Sequence, residues 1–335
     1  MIEEVTANKD TIINEYIGQN NLGEAAKRLL ELQKKSWQTL SSGYNSLKFI
    51  KTKVIPFDAF NFAIQYNPGR YISTSAMVDE KSITNRKCFL CEKNLPDQQK
   101  GILINDYILL ANPYPIFPEH FTITHKIHKD QSIKNSFGDL LFFSKIFSKF
   151  YTIFYNGPGC GASAPDHLHF QAGSKFSMPL DNEYDTIKNK YGALLSNTND
   201  RSLYFVDDGM RKIFAIEGNE EKNIMNIFNL FLEVYSSGSN IYEPMMNILC
   251  SYNEAKVWRV LIMLRAKHRP EEFYNKGEER ILFSPAACDY GGLCITPLEK
   301  DFERFNSRLL NKIFKETSIS QAIFQKLKED LQSKI

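Results

Sequence analysis

The sequence predicts a mixed fold of strands and helices in which the order strands, helix, strand occurs twice. Apolar residues alternate with the period of a β-strand around residues 57–173 and again around residues 203–296. Each block also contains a stretch with helical apolar spacing, over residues 132–150 and residues 221–235. With 335 residues, of which 43% are hydrophobic and 24% charged, the chain can bury two domains or one large duplicated domain. No sequence repeat is obvious, so the duplication that this order indicates is a weak one.

The N-terminal part and the first block account for the first elements. Apolar residues recur near one helix face between about Asp10 and Leu47, which predicts a helical layer. The first block then begins near Phe57. Its predicted elements are a strand that ends at the turn 67–69, a hairpin of 102–104 and 107–111, a strand over 120–125, a helix over 132–150, and a strand over 167–171.

The second block repeats this order. Its predicted elements are a hairpin of 203–206 and 212–216, a helix over 221–235, strands over 246–252, 257–265 and 287–295, and two helices that begin at about Leu298 and Ser320.

Composition and charge exclude several classes of protein. The net charge of +2 and the pI of about 8.1 provide no broad basic surface, so nucleic acid is not an expected partner and any anion site should be local. No apolar run reaches the roughly 20 residues that a spanning helix requires, so no membrane association is expected. The charged stretch Met1–Asp10 is not typical of a secretory signal, and we expect a cytoplasmic protein with a small-molecule substrate.

Two cysteines and two histidines are candidate ligands of one metal ion. Cys88 and Cys91 form a C-x-x-C knuckle, in which both thiolates can reach the same tetrahedral ion. We choose His128 from the upstream histidines because it lies just past a strand, where a turn can aim it back, and His167 is the natural fourth ligand. The sequence therefore predicts a closed, structural Cys2His2 zinc site. The alternative is that the two cysteines are merely buried small hydrophobic residues.

The most informative segment is residues 155–173, where a glycine-rich turn leads into His167, His169 and Gln171 at alternating positions. Alternation places these three side chains on one face of a strand and directs the intervening apolar residues into a core. An imidazole held at one nitrogen by a backbone carbonyl can attack an α-phosphorus. We therefore expect His169 to be the nucleophile and Gln171 to hydrogen-bond the non-bridging phosphate oxygens. The alternative for His169 is a hydrogen-bonded core histidine.

The turn before this strand is predicted to bind phosphate. Asn156, Gly159, Gly161 and Ser163 lie in it, and successive backbone N–H groups in such a turn can form a nest for phosphate charge. The same residue types are common in ordinary turns, so the turn on its own is weak evidence.

These motifs resemble the galactose-1-phosphate uridylyltransferase branch of the histidine-triad superfamily. That branch combines a C-x-x-C knuckle, a distal zinc histidine and an H-x-H-x-Q strand with the second histidine as nucleophile, and residues 88–91, His128 and residues 167–171 match them. Residues 112–123 are similar to diadenosine-tetraphosphate phosphorylases, also called ATP adenylyltransferases, and residues 285–295 look more like GDP-hexose phosphorylases.

The resemblance implies an α+β fold with two histidine-triad-like units, whose antiparallel sheets are backed by helices, plus an N-terminal helical layer. The expected boundaries are 1–56 for the N-terminal helical segment, 57–200 for a catalytic unit with the zinc site, and 201–335 for a second, non-catalytic unit. The segment Ser163–His167 has one residue more than the Ser-x-Pro-His spacing of uridylyltransferases.

The resemblance also implies a nucleotidyltransferase or phosphorylase that works through a covalent nucleotidyl-histidine, with structural Zn²⁺ as its metal. The donor would be a nucleoside diphosphate-sugar of the GDP-hexose kind or a dinucleoside polyphosphate, and the acceptor phosphate or a sugar phosphate. Arg70 lies where related enzymes place a nucleotide-contacting strand. Arg259 and Arg265 either reach the phosphates or, as we prefer, are solvated charges at a strand edge.

Two other functions remain open at this point. One is a histidine-triad hydrolase, in which water is the acceptor, and the other is a non-catalytic nucleotide-binding protein. The protein is expected to be a monomer or a homodimer.

Overall fold

The structure is a computed structural model that describes residues 21–75, 80–198, 200–237 and 243–335, so the predicted helical residues before position 21 lie outside it. The helices are α1 (Leu22–Ser36), α2 (Gln38–Ser46), α3 (Tyr71–Thr74), α4 (Glu80–Thr84), α5 (Phe137–Ile146), α6 (Pro179–Tyr191), α7 (Glu221–Ser236), α8 (Glu271–Tyr274), α9 (Ala287–Tyr290), α10 (Glu299–Arg304), α11 (Ser307–Thr317) and α12 (Gln321–Gln332). The strands are β1 (Lys51–Pro56), β2 (Asn61–Tyr66), β3 (Gly101–Ile104), β4 (Tyr107–Ala111), β5 (His120–His125), β6 (Tyr151–Asn156), β7 (His169–Ser174), β8 (Gly192–Asn197), β9 (Arg201–Asp207), β10 (Lys212–Gly218), β11 (Met246–Tyr252), β12 (Trp258–Leu264) and β13 (Leu293–Thr296).

The described strands form a ten-stranded antiparallel sheet and a three-stranded sheet. The large sheet has the order β3-β4-β5-β7-β6-β11-β12-β10-β9-β8. Read inward from either edge, each half contains its strands in the same relative order, and the halves meet where β6 pairs antiparallel with β11. In the small sheet, β1 pairs antiparallel with β2, and β2 pairs in parallel with β13. The internal duplication that the sequence indicates weakly is therefore visible in the strand order.

Apolar side chains pack on both faces of the large sheet. On one face, residues such as Ile153 and Ile248 pack with α1, α5, α7 and α12. On the other, Phe154 and Leu249 pack with α6, α10, α11 and β2. Successive strand residues alternate between the two cores, as the period of two requires. The α+β fold, with antiparallel sheets backed by helices, is confirmed, and no helix of the described chain is long and apolar enough to cross a membrane.

Several predicted elements differ from the structure, and β6, α6 and β8 were not predicted. Residues 51–56 are strand β1, in the segment expected to be helical, and the helix predicted over 132–150 is confined to α5. The strand predicted over 287–295 is instead the short helix α9 followed by β13. There the Asp289 carboxylate accepts hydrogen bonds from the backbone N–H groups of Ala286 and Ile295, which closes a turn that local alternation cannot reveal. The helix predicted from Leu298 is interrupted, because Asn306 caps a new helix, α11, by accepting a hydrogen bond from Leu309 N–H.

Candidate active site

Strand β7 directs its side chains to opposite faces of the sheet. Leu168, Phe170 and Ala172 are fully buried in the core that packs against α5 and α7. His169 and Gln171 line a cavity of about 820 Å³ on the other face. The alternation predicted for these residues is therefore present, although β7 itself begins only at His169.

The His169 imidazole is held at one nitrogen and has its other nitrogen available. Its Nδ1 lies 2.8 Å from the His167 carbonyl oxygen, which fixes the proton on Nδ1 and leaves a lone pair on Nε2. Burial lowers the pKa of His169 to about 4, against the opposing effect of the hydrogen bond to the His167 carbonyl. No described side chain or backbone group hydrogen-bonds Nε2, and the residue lines the cavity. A neutral imidazole in this state can act as a nucleophile.

Gln171 is oriented by His120, a histidine for which no sequence pattern predicts this role. The His120 Nδ1 accepts a hydrogen bond from Ile116 N–H (3.3 Å), so the proton of this ring lies on Nε2. The Nε2–H donates to Gln171 Oε1 over 2.9 Å. Burial lowers the pKa of His120 to about 3, which keeps the ring neutral. With its oxygen occupied, the Gln171 amide has its NH2 group left to donate to an anion.

Gln131, which the sequence analysis did not single out, fixes the backbone at His169. Its Oε1 accepts from His169 N–H (2.8 Å), and its Nε2 donates to the carbonyls of His169 (3.1 Å) and Asn156 (2.9 Å). The side chain is only 1% exposed. It bridges the end of β6 and the start of β7, on either side of the glycine-rich turn. No local pattern marks this glutamine, because its partners are distant in sequence.

The glycine-rich turn packs against the second half of the chain. The Asn156 Oδ1 accepts hydrogen bonds from Asn247 Nδ2 and from Ala287 N–H, both at 2.8 Å. Gly161 has a φ of +95°, and a Cβ there would lie 2.7 Å from the Ala286 Cβ. Both the backbone conformation and the close packing therefore require glycine at this position. The corresponding connection in the second half, between β11 and β12, spans only residues 253–257 and contains no such turn.

Most predicted substrate-binding residues lie in the cavity wall. Asn156, Gly161, Ser163 and Arg70 line it together with His169 and Gln171, whereas Gly159 is outside the described lining and packs beside Met245.

Arg70 and Arg86 provide positive charge in this wall. Arg70 Nη1 donates to the Tyr114 carbonyl over 2.6 Å, while its buried Nε has no partner among the described residues. Burial lowers the pKa of the Arg70 guanidinium. Arg86 forms an ion pair with Asp166 over 2.6 Å, and its buried Nη1 likewise has no described partner. Guanidinium donors in these states are suited to phosphate oxygens.

A second cluster, composed of Cys88, Cys91, His128 and His167, can hold a metal ion. The four ligand atoms all lie within 4.8 Å of one another. Cys88 Sγ is 3.2 Å from His167 Nδ1, and Cys91 Sγ is 3.2 Å from His128 Nδ1. Metal–ligand bonds of about 2.0–2.3 Å in a tetrahedron separate ligands by about 3.3–3.8 Å, so one ion fits the cluster after small adjustments.

The surroundings of this cluster support ligation by His167. Its Nε2 lies 2.7 Å from the His125 carbonyl and donates to it, which leaves Nδ1 without a proton and directed at the cysteines. Burial, followed by the neighbouring Cys88, raises the pKa of Cys91 to about 11 in the absence of a cation. A metal ion would hold both sulfurs as thiolates at neutral pH.

His167 and His169 thus have separate surroundings although they are two residues apart. His167 joins the cysteine cluster, and its carbonyl orients the His169 ring. A metal ion bound to His167 would lie outside the cavity and would restrain the position of the His167 carbonyl. Of the other upstream histidines, His120 contacts Gln171, and His125 contributes its carbonyl rather than its ring.

Comparisons of sequence assign each half of the chain to a family model. Residues 29–174 match a domain of unknown function (DUF4922), and residues 212–335 match the model described as "GDPGP1-like, C-terminal domain". No curated protein matches this chain in sequence.

Solved structures share the fold over almost the whole chain. Yeast Ap4A phosphorylase Apa2 is 17% identical, with a TM-score of 0.59 over 90% of this chain and 95% of the yeast chain. The same yeast protein in complex with Ap4A is 15% identical, with a TM-score of 0.57 over 88% of this chain and 97% of the other. The C-terminal part of the chain therefore resembles the GDPGP1-like C-terminal domain, and the whole chain is similar in fold to yeast Ap4A phosphorylase, which agrees with the resemblance that the motifs indicate.

Proposed function

We propose that the protein is a nucleotidyltransferase of the phosphorylase type, which acts through a covalent nucleotidyl-His169. The donor is a nucleoside diphosphate-hexose or a dinucleoside polyphosphate, and the acceptor is phosphate or a sugar phosphate. The observation that carries the proposal is the His169 ring, which is neutral, held at Nδ1 by the His167 carbonyl, and available at Nε2 in the cavity. The GDPGP1-like family match and the fold of yeast Ap4A phosphorylase support the same class of reaction.

In the first step, the Nε2 lone pair attacks the α-phosphorus of the donor. The P–N bond forms, the bond from phosphorus to the bridging oxygen breaks, and its electron pair leaves with the β-phosphate. The positive charge that develops on the ring is stabilised by the bond from Nδ1–H to the His167 carbonyl. Gln171 donates its amide to a non-bridging oxygen, and the turn beside Ser163 offers further donors.

In the second step, an acceptor oxygen attacks the same phosphorus. The new P–O bond forms as the P–N bond breaks, and the electron pair of that bond returns to Nε2. Two displacements at one phosphorus retain its configuration. With phosphate as the acceptor, the product is a nucleoside diphosphate.

The donor set of the metal cluster favours zinc. Two cysteines and two histidines in a closed tetrahedron are typical of structural zinc, and no position remains open for a substrate. Such an ion would stabilise the segments that carry Cys88, His128 and His167 and would take no part in bond making. Zinc therefore has a structural role in this proposal.

A donor screen with intact-mass detection tests the reaction. Incubation with GDP-hexoses, UDP-hexoses or diadenosine tetraphosphate should add one nucleotide mass to the protein as an acid-labile adduct. His169→Ala should remain unmodified while its circular dichroism spectrum is unchanged. A wild-type protein that stays unmodified with every donor would refute the proposal.

The identity of the acceptor is tested by phosphate dependence. Turnover should require orthophosphate and yield a nucleoside diphosphate. If a nucleoside monophosphate were released equally fast with and without orthophosphate, the protein would instead be a hydrolase.

Metal analysis tests the zinc site separately. About one zinc ion per chain is expected, and it should be lost in Cys88→Ala together with thermal stability. Cys250→Ala is the matched control, because Cys250 is also buried but lies in β11, outside the cluster. A metal-free wild-type protein, or equal metal content in the two variants, would contradict the assignment.

A further inference from the structure

The second half of the chain contributes a polar wall to the cavity that contains His169. His268 and Arg269, which follow β12, line the cavity, as does Ser284, which precedes α9. This wall adjoins the glycine-rich turn, because Gly161 closely approaches Ala286. The three residues belong to no motif that the sequence analysis identified.

Arg265 holds the two segments of this wall together. It is 2% exposed, so it is not the solvated strand-edge charge that the sequence suggested. Its Nη1 donates to the Pro285 carbonyl (2.9 Å), and its Nη2 donates to the carbonyls of Lys267 (2.9 Å) and His268 (3.2 Å). Arg265 therefore stabilises the backbone of the wall and does not itself line the cavity. The other candidate, Arg259, is paired with Glu217 and Asp185 away from the cavity.

The side chains of the wall form a hydrogen-bonded group. Arg269 Nε donates to Ser284 Oγ over 3.2 Å, and the Ser284 hydroxyl lies 3.3 Å from His268 Nε2. Burial, followed by the nearby Arg269 and Arg265, lowers the pKa of His268 to about 4. A neutral His268 accepts from the serine at Nε2 and keeps a proton on Nδ1. The Arg269 guanidinium is also braced by the Phe273 ring, 4.1 Å from its centroid.

The charges that line the cavity favour an anion. Arg70, Arg86 and Arg269 are in the lining, where Asp289 is the one carboxyl group among the described residues. Asp166, outside the lining, offsets the charge of Arg86 through its ion pair, which leaves Arg70 and Arg269 to account for the excess. Both Asp289 oxygens already accept backbone N–H groups. Burial also raises the pKa of Asp289 to about 7, so its negative charge is partly suppressed at neutral pH. The whole chain has a net charge of only +2, so this excess of arginine is local.

The proposed reaction requires a second anion position beside the nucleotide. His169 attacks opposite the leaving oxygen, and the acceptor must then attack opposite the P–N bond. The leaving phosphate and the entering phosphate therefore occupy the same side of the phosphorus in turn. β7 supplies the nucleophile and Gln171, whereas the second half supplies an additional cationic wall to the same cavity.

We propose that Arg269, His268 and Ser284 form the acceptor subsite, which binds the inorganic phosphate or phosphomonoester that removes the nucleotide from His169. This inference rests on the proposed function, and it gives the second half of the chain a binding role in the reaction. Arg269 contributes a charge-assisted donor and His268 a neutral donor, its Nδ1–H. Ser284, whose one proton goes to His268 Nε2, accepts from Arg269 Nε and positions both side chains.

A chase of the isolated nucleotidyl-enzyme with inorganic phosphate tests this subsite. The half-saturating phosphate concentration should rise about tenfold or more in Arg269→Gln, because a charge-assisted bond to phosphate is lost. Ser284→Ala should raise it by a smaller factor. Arg280→Gln is the matched control, since Arg280 also lies near the Phe273 ring but is outside the described cavity lining, and it should leave the concentration unchanged. Equal phosphate dependence in Arg269→Gln and Arg280→Gln would overturn the inference.

Binding of inorganic phosphate to the unmodified protein provides an independent measurement. Isothermal titration should detect phosphate binding to wild-type protein and to Arg280→Gln, with about tenfold weaker binding to Arg269→Gln. This comparison does not require an adduct, so it distinguishes failure of the subsite from failure of the proposed reaction. Indistinguishable binding in the three proteins would overturn the subsite even if His169 is modified.

Discussion

Replacement of Gln131 by leucine should impair both stability and the first chemical step. The side chain makes three hydrogen bonds in the interior, two with the His169 backbone and one with the Asn156 carbonyl. At roughly 1 kcal/mol each, their loss should lower the free energy of unfolding by about 3 kcal/mol. The His169 backbone would also lose its fixed position, so the rate of adduct formation should fall while the donor KM changes little.

Gln33→Leu is the matched control for this variant. Gln33 is equally buried, at 1% exposure, but it lies in α1 and makes one described side-chain bond, to the Gln98 carbonyl. Its replacement should cost about 1 kcal/mol and leave adduct formation unchanged. Urea unfolding followed by circular dichroism measures stability, and quenched-flow mass spectrometry measures the adduct. Equal stabilities of the two variants, or a wild-type rate of adduct formation in Gln131→Leu, would refute this account of Gln131.

Two further predictions concern Asp181 and His120. Burial raises the pKa of Asp181 from 3.8 to about 6, and its Oδ2 has no described partner, so the folded state favours the protonated form. The free energy of unfolding of Asp181→Asn should therefore exceed that of the wild type by an amount that grows from near zero below pH 4 to about 3 kcal/mol above pH 7. Urea unfolding of both proteins across this pH range measures the difference. A difference that does not change with pH would contradict the prediction. His120→Phe keeps an aromatic ring beside Phe117 but removes the donor to Gln171, so kcat should fall about tenfold at nearly constant donor KM in steady-state kinetics. His120→Gln should restore part of the lost kcat. An unchanged kcat in His120→Phe would show that Gln171 does not need this hydrogen bond to be oriented.

Local sequence patterns were sufficient to predict the residues at the centre of the candidate site. The period of two places His169 and Gln171 opposite the buried Leu168 and Phe170, and this depends only on strand geometry. The C-x-x-C knuckle and the strand histidine are likewise recognisable from local spacing, and the structure brings Cys88 Sγ to 3.2 Å from His167 Nδ1.

The groups that orient these residues could not be predicted in the same way. Gln131 and His120 act through hydrogen bonds to residues 38 and 51 positions away, and nothing in their neighbourhood marks those partners. The wall containing Arg269 is contributed by the other half of the duplicated sheet. The α9 turn could not be predicted from local spacing either, because the Asp289 carboxylate closes it by accepting backbone N–H groups on both sides.

Locating the nucleotide on the modified protein would show whether His169 is the nucleophile. The protein would be incubated with the donor that yields an adduct, digested at alkaline pH, and its peptides fragmented by mass spectrometry. A single nucleotidyl group is expected, attached to His169 on the peptide that contains residues 167–171. A nucleotide on another residue, or turnover that proceeds at the wild-type rate in His169→Ala, would contradict it.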